Sequence, residues 1–192
     1  TNPKFYWIVN YLETYLSAQL WKICTNATIA AHYKKILLNW AEKTGGEKSF
    51  VELQGHDFSY RGMSGSVDAG MSGMGHLLSF MGTDTIPAIY NAKQFYNAKG
   101  PVGLSVPATE HSIMCSGTKE GELATYRRLI NDIYPTGIVS IVSDTWDFFK
   151  VITEFTVELK DEILARKPND IGLAKVVFRP DSGDPVEIIC GK

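Results

Sequence analysis

Five clusters of polar residues follow short β-prone runs along the sequence. The clusters span residues 56–62, 82–85, 105–112, 143–147 and 179–183. In parallel α/β folds the carboxyl ends of the strands lie on one face, where loops assemble an active site from residues distant in sequence. We therefore predict that the five clusters converge on one site.

The charged residues of these clusters limit the chemistry that such a site can perform. Arg61, His111 and Arg179 supply cationic donors for phosphate or pyrophosphate, and arginine can bind such a group through two parallel hydrogen bonds. Aspartates such as Asp84 and Asp181 can hold sugar hydroxyls, orient a base or stabilise a developing positive charge. This inventory suits a reaction of a phosphorylated sugar, and a glycosidase with paired carboxylates is an open alternative.

Two aromatic residues of the first cluster, Phe58 and Tyr60, offer a flat surface to a ring. Together with the charged residues they favour a reaction between a phosphorylated sugar and an aromatic base. Other polar residues of the clusters have a simpler interpretation. Thr85, Ser112 and Asp147 each precede or begin a helical pattern, so we interpret them as helix caps.

The elements that must position the clusters alternate between β-prone and helical patterns. A stripe of apolar residues from Val67 to Met81 predicts a core-facing, methionine-rich helix between the first two strands. Apolar spacing predicts later helices over 123–133 and 148–163. The predicted strands are 50–53, 78–81, 102–106, 138–142 and 175–178. Five such βα units fit an open doubly wound sheet or part of a β/α barrel, which usually takes ~250 residues.

Two helices are predicted ahead of the first strand. The first begins at Asn2 and Pro3, and its apolar positions run from Phe5 to Leu20. The second carries apolar residues from 29 to 40, and the glycine pair at 45–46 ends it. Residues 1–46 are therefore predicted to form an N-terminal helical segment, and residues 47–192 the part with βα units.

The overall composition is that of an ordinary globular domain. The 192 residues include 19 basic and 21 acidic residues, which are interspersed and give a formal net charge of -2. This balance gives no indication of a nucleic-acid or membrane surface. The three cysteines have no CxxC spacing, which favours neither a disulfide framework nor a zinc site, and we expect a cytoplasmic protein.

With their neighbouring residues, the clusters form motifs in a fixed order. The motifs are QGHDFSYRG at 54–62, GTDT at 82–85, SVPATEHS at 105–112, VSDTWD at 142–147 and VFRPDSGDP at 177–185. They resemble the successive strand-end motifs of the nicotinamide phosphoribosyltransferases, which are type II phosphoribosyltransferases of the NAPRTase family. The segment YWIVNYLET at 6–14 is similar to the helix that precedes the barrel in that family.

The resemblance implies an enzyme built on a β/α barrel, with active sites at the interface of a homodimer. The implied reaction transfers the phosphoribosyl group of phosphoribosyl pyrophosphate to nicotinamide, giving nicotinamide mononucleotide and pyrophosphate in NAD salvage. Mg²⁺ accompanies the pyrophosphate, so its ligands are largely substrate oxygens and no protein metal cage is expected. In this family ATP can also phosphorylate the histidine that matches His111.

The resemblance assigns one group of residues to the base. Phe58 is expected to stack on the nicotinamide ring, and Asp84 to accept a hydrogen bond from the carboxamide NH2. Ser105, Val106 and Asp144 are expected to line the same pocket.

A second group is assigned to the phosphoribosyl moiety. Arg61 and His111 are expected to bind pyrophosphate, and Arg179 to lie against the base and the 5'-phosphate. Asp181 is expected to face the ribose, so His111 and Asp181 are the predicted catalytic residues. The oxocarbenium-like state at the anomeric carbon needs cations beside the leaving group and a carboxylate beside the sugar.

Two alternatives stand beside this interpretation. A nicotinate phosphoribosyltransferase shares the fold and the mechanism, although the charge of Asp84 would repel a nicotinate carboxylate. A non-catalytic binding or regulatory protein of the same fold is the other, because family members continue beyond the Arg-Pro-Asp-Ser-Gly motif near the end of this sequence. We therefore expect a piece of a longer enzyme that is incomplete by itself.

Overall fold

Residues 2–191, which the computed structural model describes, alternate between helices and short parallel strands and divide into two units, one up to Ser105 and one from Val106. The strands are β1 (His56–Asp57), β2 (Gly82–Thr83), β3 (Ile138–Val142) and β4 (Lys175–Arg179). The α-helices are α1 (Val9–Thr44), α2 (Ser66–His76), α3 (Ile86–Phe95), α4 (His111–Ser116), α5 (Glu122–Arg128), α6 (Phe148–Lys150), α7 (Thr156–Glu158), α8 (Lys160–Leu164) and α9 (Pro185–Cys190).

The first part of the chain is one long helix, which corrects the prediction of two. The Asn2 side chain accepts a hydrogen bond from the Lys4 N–H and starts a 3-10 helix, Pro3–Ile8, that leads directly into α1. Gly45 ends α1 with a left-handed φ of 70°, as predicted. Residues 17–28, between the two apolar patterns, contain neither glycine nor proline, so nothing in the sequence interrupts the helix.

Most of the apolar residues of α1 face outward in the described chain. Ile23 and Ala30 are its buried residues, whereas aromatic residues such as Trp7 in the 3-10 helix and Tyr11 in α1 are exposed. The helical spacing of the apolar residues was therefore predicted correctly, but the pattern does not mark a surface buried within these residues.

The first unit, up to Ser105, contains the β1 and β2 pair. His56 lies opposite Gly82 and Asp57 opposite Thr83 in parallel register, and Leu104 forms a parallel bridge to Gly82. The predicted strand at 50–53 is wrong, because Lys48–Leu53 is a 3-10 helix. The one at 78–81 is displaced to Gly82–Thr83, and the one at 102–106 is reduced to the bridge at Leu104. Short apolar runs fit either a strand or a helical turn, which explains these errors.

The buried face of α2 consists mainly of small residues rather than methionines. Met74 is buried as predicted, but Val67 is 79% exposed. The other buried positions of α2 are Ala69, Gly70, Ser72, Gly73 and Gly75. A Cβ on Gly73 would lie 2.7 Å from the Ala88 Cβ of α3, so the two helices pack closely because that atom is absent. The predicted methionine stripe is therefore only partly correct.

The second unit, from Val106, is organised around a longer pair of strands. β3 and β4 are parallel over five residue pairs, from Ile138 opposite Lys175 to Val142 opposite Arg179, which confirms both predicted strands. A parallel bridge joins Ala108 to Ser140 on the other side of β3. The core of the unit consists of Met114, Tyr126, Leu129, Ile130, Val139, Ile141, Val142, Val151, Phe155 and Leu159.

The helices that connect the strands of this unit follow the predicted apolar patterns, but part of each is π-helical rather than α-helical. The segment after α5, Leu129–Ile133, and the segment after α6, Val151–Phe155, are π-helical. Tyr126, Phe155 and Leu159 are buried as the spacing indicates. Both patterns therefore form helices at the predicted places.

Within residues 2–191 the strands form two parallel pairs, and a closed barrel is not found. The alternation of helices with parallel strands is confirmed, whereas the partial β/α barrel is not. In the same part of the chain, no helix combines the length and the apolar composition needed to cross a lipid bilayer.

Candidate functional site

In the first unit, several predicted site residues lie just after a strand or a β-bridge. Phe58 directly follows β1, and Arg61 lies in the 3-10 helix after it, Ser59–Gly62. Asp84 directly follows β2, and Ser105 follows the bridge residue Leu104. The first two predicted clusters therefore include β1 and β2 themselves, and only their later residues, such as Phe58 and Asp84, lie beyond a strand end.

Four side chains of this unit form one group, which we call the Asp84 cluster: His56, Phe58, Asp84 and Ser105. Asp84 Oδ1 accepts a hydrogen bond from the Ser105 hydroxyl and lies 3.1 Å from His56 Nε2. The His56 ring also stacks on the Phe58 ring, with centroids 4.3 Å apart and an interplanar angle of 23°. The Asp84 side chain is 43% exposed, so an acceptor and an aromatic ring lie together at the surface of this unit.

His56 is a member of the cluster that is not among the predicted site residues. Residues alternate in direction along a strand, so His56 and Asp57 project to opposite sides of β1. Asp57 is buried and its Oδ1 accepts the Ser59 N–H at 2.9 Å, which gives it a local structural role. His56 also borders a cavity of about 310 Å³, lined by Asn26, Ala30, Tyr33, Leu37, Gln54, Gly55, His56, His76 and Phe80.

The second unit forms a separate group, which we call the His111 cluster: His111, Asp144, Asp181 and Ser182. His111 is the first residue of α4, whereas Asp144 follows β3 and Asp181 follows β4. His111 Nε2 lies 2.9 Å from Asp144 Oδ1, and Nδ1 lies 3.9 Å from Asp181 Oδ2. The imidazole is therefore held between two carboxylates.

Asp144 is fixed at both oxygens. Its Oδ2 accepts the Asp181 N–H at 2.9 Å and the Ser182 hydroxyl at 2.5 Å, and its side chain is only 8% exposed. Burial raises the pKa of Asp144, but hydrogen bonds from Ser182, the Asp181 N–H and His111 outweigh it and bring the pKa below its ordinary value. An ionised Asp144 can only accept hydrogen bonds, so it holds the proton of His111 on Nε2.

The two predicted arginines have different surroundings. Arg179 is half-buried, and its Nη2 donates a hydrogen bond to the Thr109 carbonyl at 2.8 Å, which anchors it beside its own strand. Arg61 is exposed in its 3-10 helix. Val106, the first residue of the second unit, is half-buried. The assignment of these residues to substrate contacts stays a prediction.

The three predicted caps differ in outcome. Asp147 precedes α6 and accepts the Lys150 N–H at 2.9 Å, which confirms a helix cap. Thr85 precedes α3 without a side-chain capping bond, and Ser112 lies inside α4, where Glu110 is the residue before the helix. Thr85 therefore takes the predicted N-cap position without the capping hydrogen bond, and the capping interpretation is wrong for Ser112.

The five strand-end clusters are therefore organised as one group in each unit, and their convergence on a single site stays a prediction. Among residues 2–191 no group of three or more histidine, cysteine, aspartate or glutamate side chains could hold a metal ion.

Comparison with known proteins gives a consistent family. The model of the nicotinate phosphoribosyltransferase (NAPRTase) family matches residues 53–191. A protein of Acinetobacter baylyi named nicotinamide phosphoribosyltransferase is 63% identical over 191 residues, which cover 100% of this chain and 38% of the relative.

More distant relatives carry the same name. The proteins from Xanthomonas campestris pv. campestris and Mycoplasma pneumoniae are each 37% identical to the chain, of which the alignments cover 98%. The chain spans 39% and 38% of their lengths. All three relatives are thus much longer than the chain that matches them.

Proposed function

The chain belongs to the nicotinate phosphoribosyltransferase (NAPRTase) family, and on this premise we propose that the protein transfers the phosphoribosyl group of phosphoribosyl pyrophosphate to nicotinamide. The products are nicotinamide mononucleotide and pyrophosphate, a step of NAD salvage. The observation that carries the choice of nicotinamide is the Asp84 cluster, which offers an aromatic ring and a half-exposed carboxylate side by side.

The Asp84 cluster matches the chemistry of a carboxamide on an aromatic ring. Phe58 stacks on the ring, and Asp84 accepts a hydrogen bond from the carboxamide NH2, while Ser105 and Val106 line the pocket. The described hydrogen bonds to Asp84 end on Oδ1, so the assignment gives Oδ2 to the substrate. A nicotinate carboxylate would meet Asp84 as a like charge, which favours nicotinamide over nicotinate.

The His111 cluster supplies groups for the sugar and the leaving group. In the transfer, the bond between the anomeric carbon and the pyrophosphate oxygen breaks, and a bond from that carbon to the ring nitrogen forms. Asp181, an exposed carboxylate, faces the ribose and stabilises the positive charge that develops there. His111, together with Arg61, stabilises the departing pyrophosphate, and Arg179 lies on the base and 5'-phosphate side.

Asp144 acts through His111 in this proposal and is a positioning residue that borders the pocket. Because Asp144 accepts the Nε2–H, the other ring nitrogen of His111 is directed towards Asp181 and the substrate, and it donates to pyrophosphate when the ring carries both protons. A fixed ring orientation lets His111 meet the substrate without reorganisation during the reaction.

Mg²⁺ belongs to the proposal as the ion that accompanies pyrophosphate. Mg²⁺ usually binds through substrate phosphates, waters and one or two carboxylates, and the exposed Asp181 carboxylate beside His111 suits that mode. The ion would supply charge neutralisation of the pyrophosphate. We extend the proposal to ATP, through phosphorylation of His111, on the family resemblance alone.

The assembly of the protein is proposed on the same basis. We propose that residues 1–46 form a helical segment and that the βα units of residues 47–192 belong to a β/α barrel in the full-length protein, because the strands are parallel and follow helical crossovers. Exposed aromatic residues on and before α1, such as Trp7 and Tyr11, support a homodimer. The three exposed cysteines are unpaired, which supports the cytoplasm.

The test is a direct assay of the full-length protein with phosphoribosyl pyrophosphate, Mg²⁺ and either nicotinamide or nicotinate. We expect nicotinamide mononucleotide as the main product, measured by liquid chromatography and mass spectrometry. Asp181→Ala is the control for enzyme-dependent formation, since it removes the carboxylate assigned to the ribose. A protein that forms only nicotinate mononucleotide would support the nicotinate alternative, and one that forms neither product would support a non-catalytic role.

A further inference from the structure

We propose that His56 is a positioning residue that determines base selectivity by holding Asp84, an inference that rests on the proposed function. His56 contacts both residues that this function assigns to the base. Its ring face stacks on Phe58, and its Nε2 lies 3.1 Å from Asp84 Oδ1. One imidazole therefore links the aromatic surface to the carboxylate.

The direction of the hydrogen bond follows from the chemistry of the partners. An ionised carboxylate has no proton to give, so His56 Nε2–H donates and Asp84 Oδ1 accepts. Ser105 donates its hydroxyl to the same oxygen. Two donors from different chain segments thus fix the orientation of the carboxylate, and Oδ2 becomes the acceptor that meets the carboxamide NH2.

The neighbouring strand leaves room for the imidazole. Gly82 of β2 lies directly opposite His56 of β1, and a Cβ on Gly82 would approach His56 Nδ1 to 2.9 Å and the Gly55 carbonyl oxygen to 2.5 Å. A side chain at residue 82 would therefore displace the ring or separate the strands. The His56 side chain is only 17% exposed, so its orientation is restricted by the surrounding structure.

The orientation of Asp84 matters because recognition of an NH2 group depends on hydrogen-bond geometry. Without the Nε2–H donor, the Ser105 hydroxyl is the remaining donor to the Asp84 carboxylate among residues 2–191, and the carboxylate gains rotational freedom about its side-chain bonds. A mobile carboxylate would bind nicotinamide less well and would turn away from a nicotinate carboxylate more easily. Loss of the donor should therefore lower selectivity rather than abolish turnover.

Two substitutions in the full-length protein separate the donor from the ring. His56→Phe keeps a stacking ring without the N–H, whereas His56→Gln keeps an N–H donor with similar reach. We expect His56→Phe to raise KM for nicotinamide about 10-fold and to lower the nicotinamide-to-nicotinate ratio of kcat/KM by a similar factor. KM for phosphoribosyl pyrophosphate should stay within about twofold, and His56→Gln should restore both base parameters to within about threefold of the wild type.

His32→Phe is the matched control, because it makes the same chemical change at an exposed position of α1 and should behave as the wild type. The inference is overturned if His56→Phe keeps the wild-type selectivity, or if His56→Gln loses as much selectivity as His56→Phe. It is also overturned if His56→Phe raises KM equally for nicotinamide and for phosphoribosyl pyrophosphate. Failure of the proposed function gives a different result, because the wild type itself would then form no nicotinamide mononucleotide.

Discussion

Each unit of the protein holds a carboxylate just beyond a parallel strand, but the two carboxylates are held differently. Asp84 of the first unit is 43% exposed, and both of its described hydrogen-bond partners contact Oδ1. Asp144 of the second unit is 8% exposed, and partners contact both oxygens. The same strand-end position therefore suits Asp84 to meet a ligand and Asp144 to orient a histidine.

The strands and helices that support the two carboxylates differ as well. β1 and β2 pair over two residues each, and close packing of α2 against α3 supports them, whereas β3 and β4 pair over five residues above a larger apolar core. The position after a strand predicted where both carboxylates lie, and the number and direction of their hydrogen bonds distinguish them.

The largest effect is expected at Asp144. In the full-length protein, Asp144→Asn should lower kcat by at least about 100-fold, because an amide can turn its NH2 towards Nε2 and so removes the acceptor that orients the His111 ring. KM for nicotinamide should stay within about threefold, since the Asp84 cluster is unchanged. Steady-state kinetics with both substrates measure this difference.

A second measurement on Asp144→Asn distinguishes a misoriented His111 from a misfolded protein. The variant should keep the wild-type thermal unfolding profile to within a few degrees. If kcat falls less than about threefold, the His111–Asp144 pair has no role in turnover, and the comparison between the two carboxylates fails.

A smaller effect, on stability, is expected from a substitution in the α2–α3 packing of the first unit. Gly73→Ala should lower the free energy of unfolding by about 1–3 kcal/mol, because its Cβ would lie 2.7 Å from the Ala88 Cβ and 2.9 Å from Asp57 Oδ2. Gly62→Ala is the control, since its Cβ would meet nothing within 4 Å and should change stability by less than about 0.5 kcal/mol. Equal stability of the two variants in chemical denaturation would show that α2 and α3 adjust without loss.

The outcomes at particular residues show how far the sequence predicts this molecule. The strand at 138–142 was predicted at its observed bounds because β-branched residues recur in a run whose last four residues are buried. The strand at 50–53 was not, because four residues cannot distinguish a strand from a 3-10 helix. Polar residues after strands predicted the places of Asp84 and Asp144, whereas His111 begins α4 after an isolated bridge at Ala108.

Partners of those residues could not be predicted in the same way. His56 lies in a strand and Ser182 in a bend, and neither residue type nor spacing indicates that they contact Asp84 and Asp144. Such contacts depend on which segments pair in space. The burial of small α2 residues could not be predicted for a similar reason. It depends on the close packing of α2 against α3, where a larger side chain at Gly73 would not fit.

The smallest effect is expected at Glu122, a buried residue whose Oε1 has no hydrogen-bond partner among residues 2–191. Burial raises the pKa of Glu122, so the folded second unit favours the protonated form. The stability associated with that proton is present below the ordinary pKa of a glutamate and is lost as the pH rises through the raised pKa. Glu122→Gln should therefore raise Tm at neutral pH, and the gain should shrink as the pH falls towards about 5.

The control for this change is Glu154→Gln, the same substitution at an exposed position of the second unit. Its Tm should follow that of the wild type at every pH. A Tm gain at Glu122 that does not depend on pH would show that the carboxyl group is not the source of the effect.

The central claim is that Asp84 chooses the base while Asp144 serves turnover, and one ratio tests it most directly. The measurement is kcat/KM for nicotinamide divided by kcat/KM for nicotinate, for the full-length wild type, Asp84→Asn and Asp144→Asn at one pH near neutrality. Asp84→Asn should lower this ratio about 10-fold or more, because the charged acceptor and the repulsion of nicotinate are both lost. Asp144→Asn should leave the ratio unchanged although both rates fall. A ratio that stays within about twofold in Asp84→Asn, or that changes equally in both variants, would contradict the account.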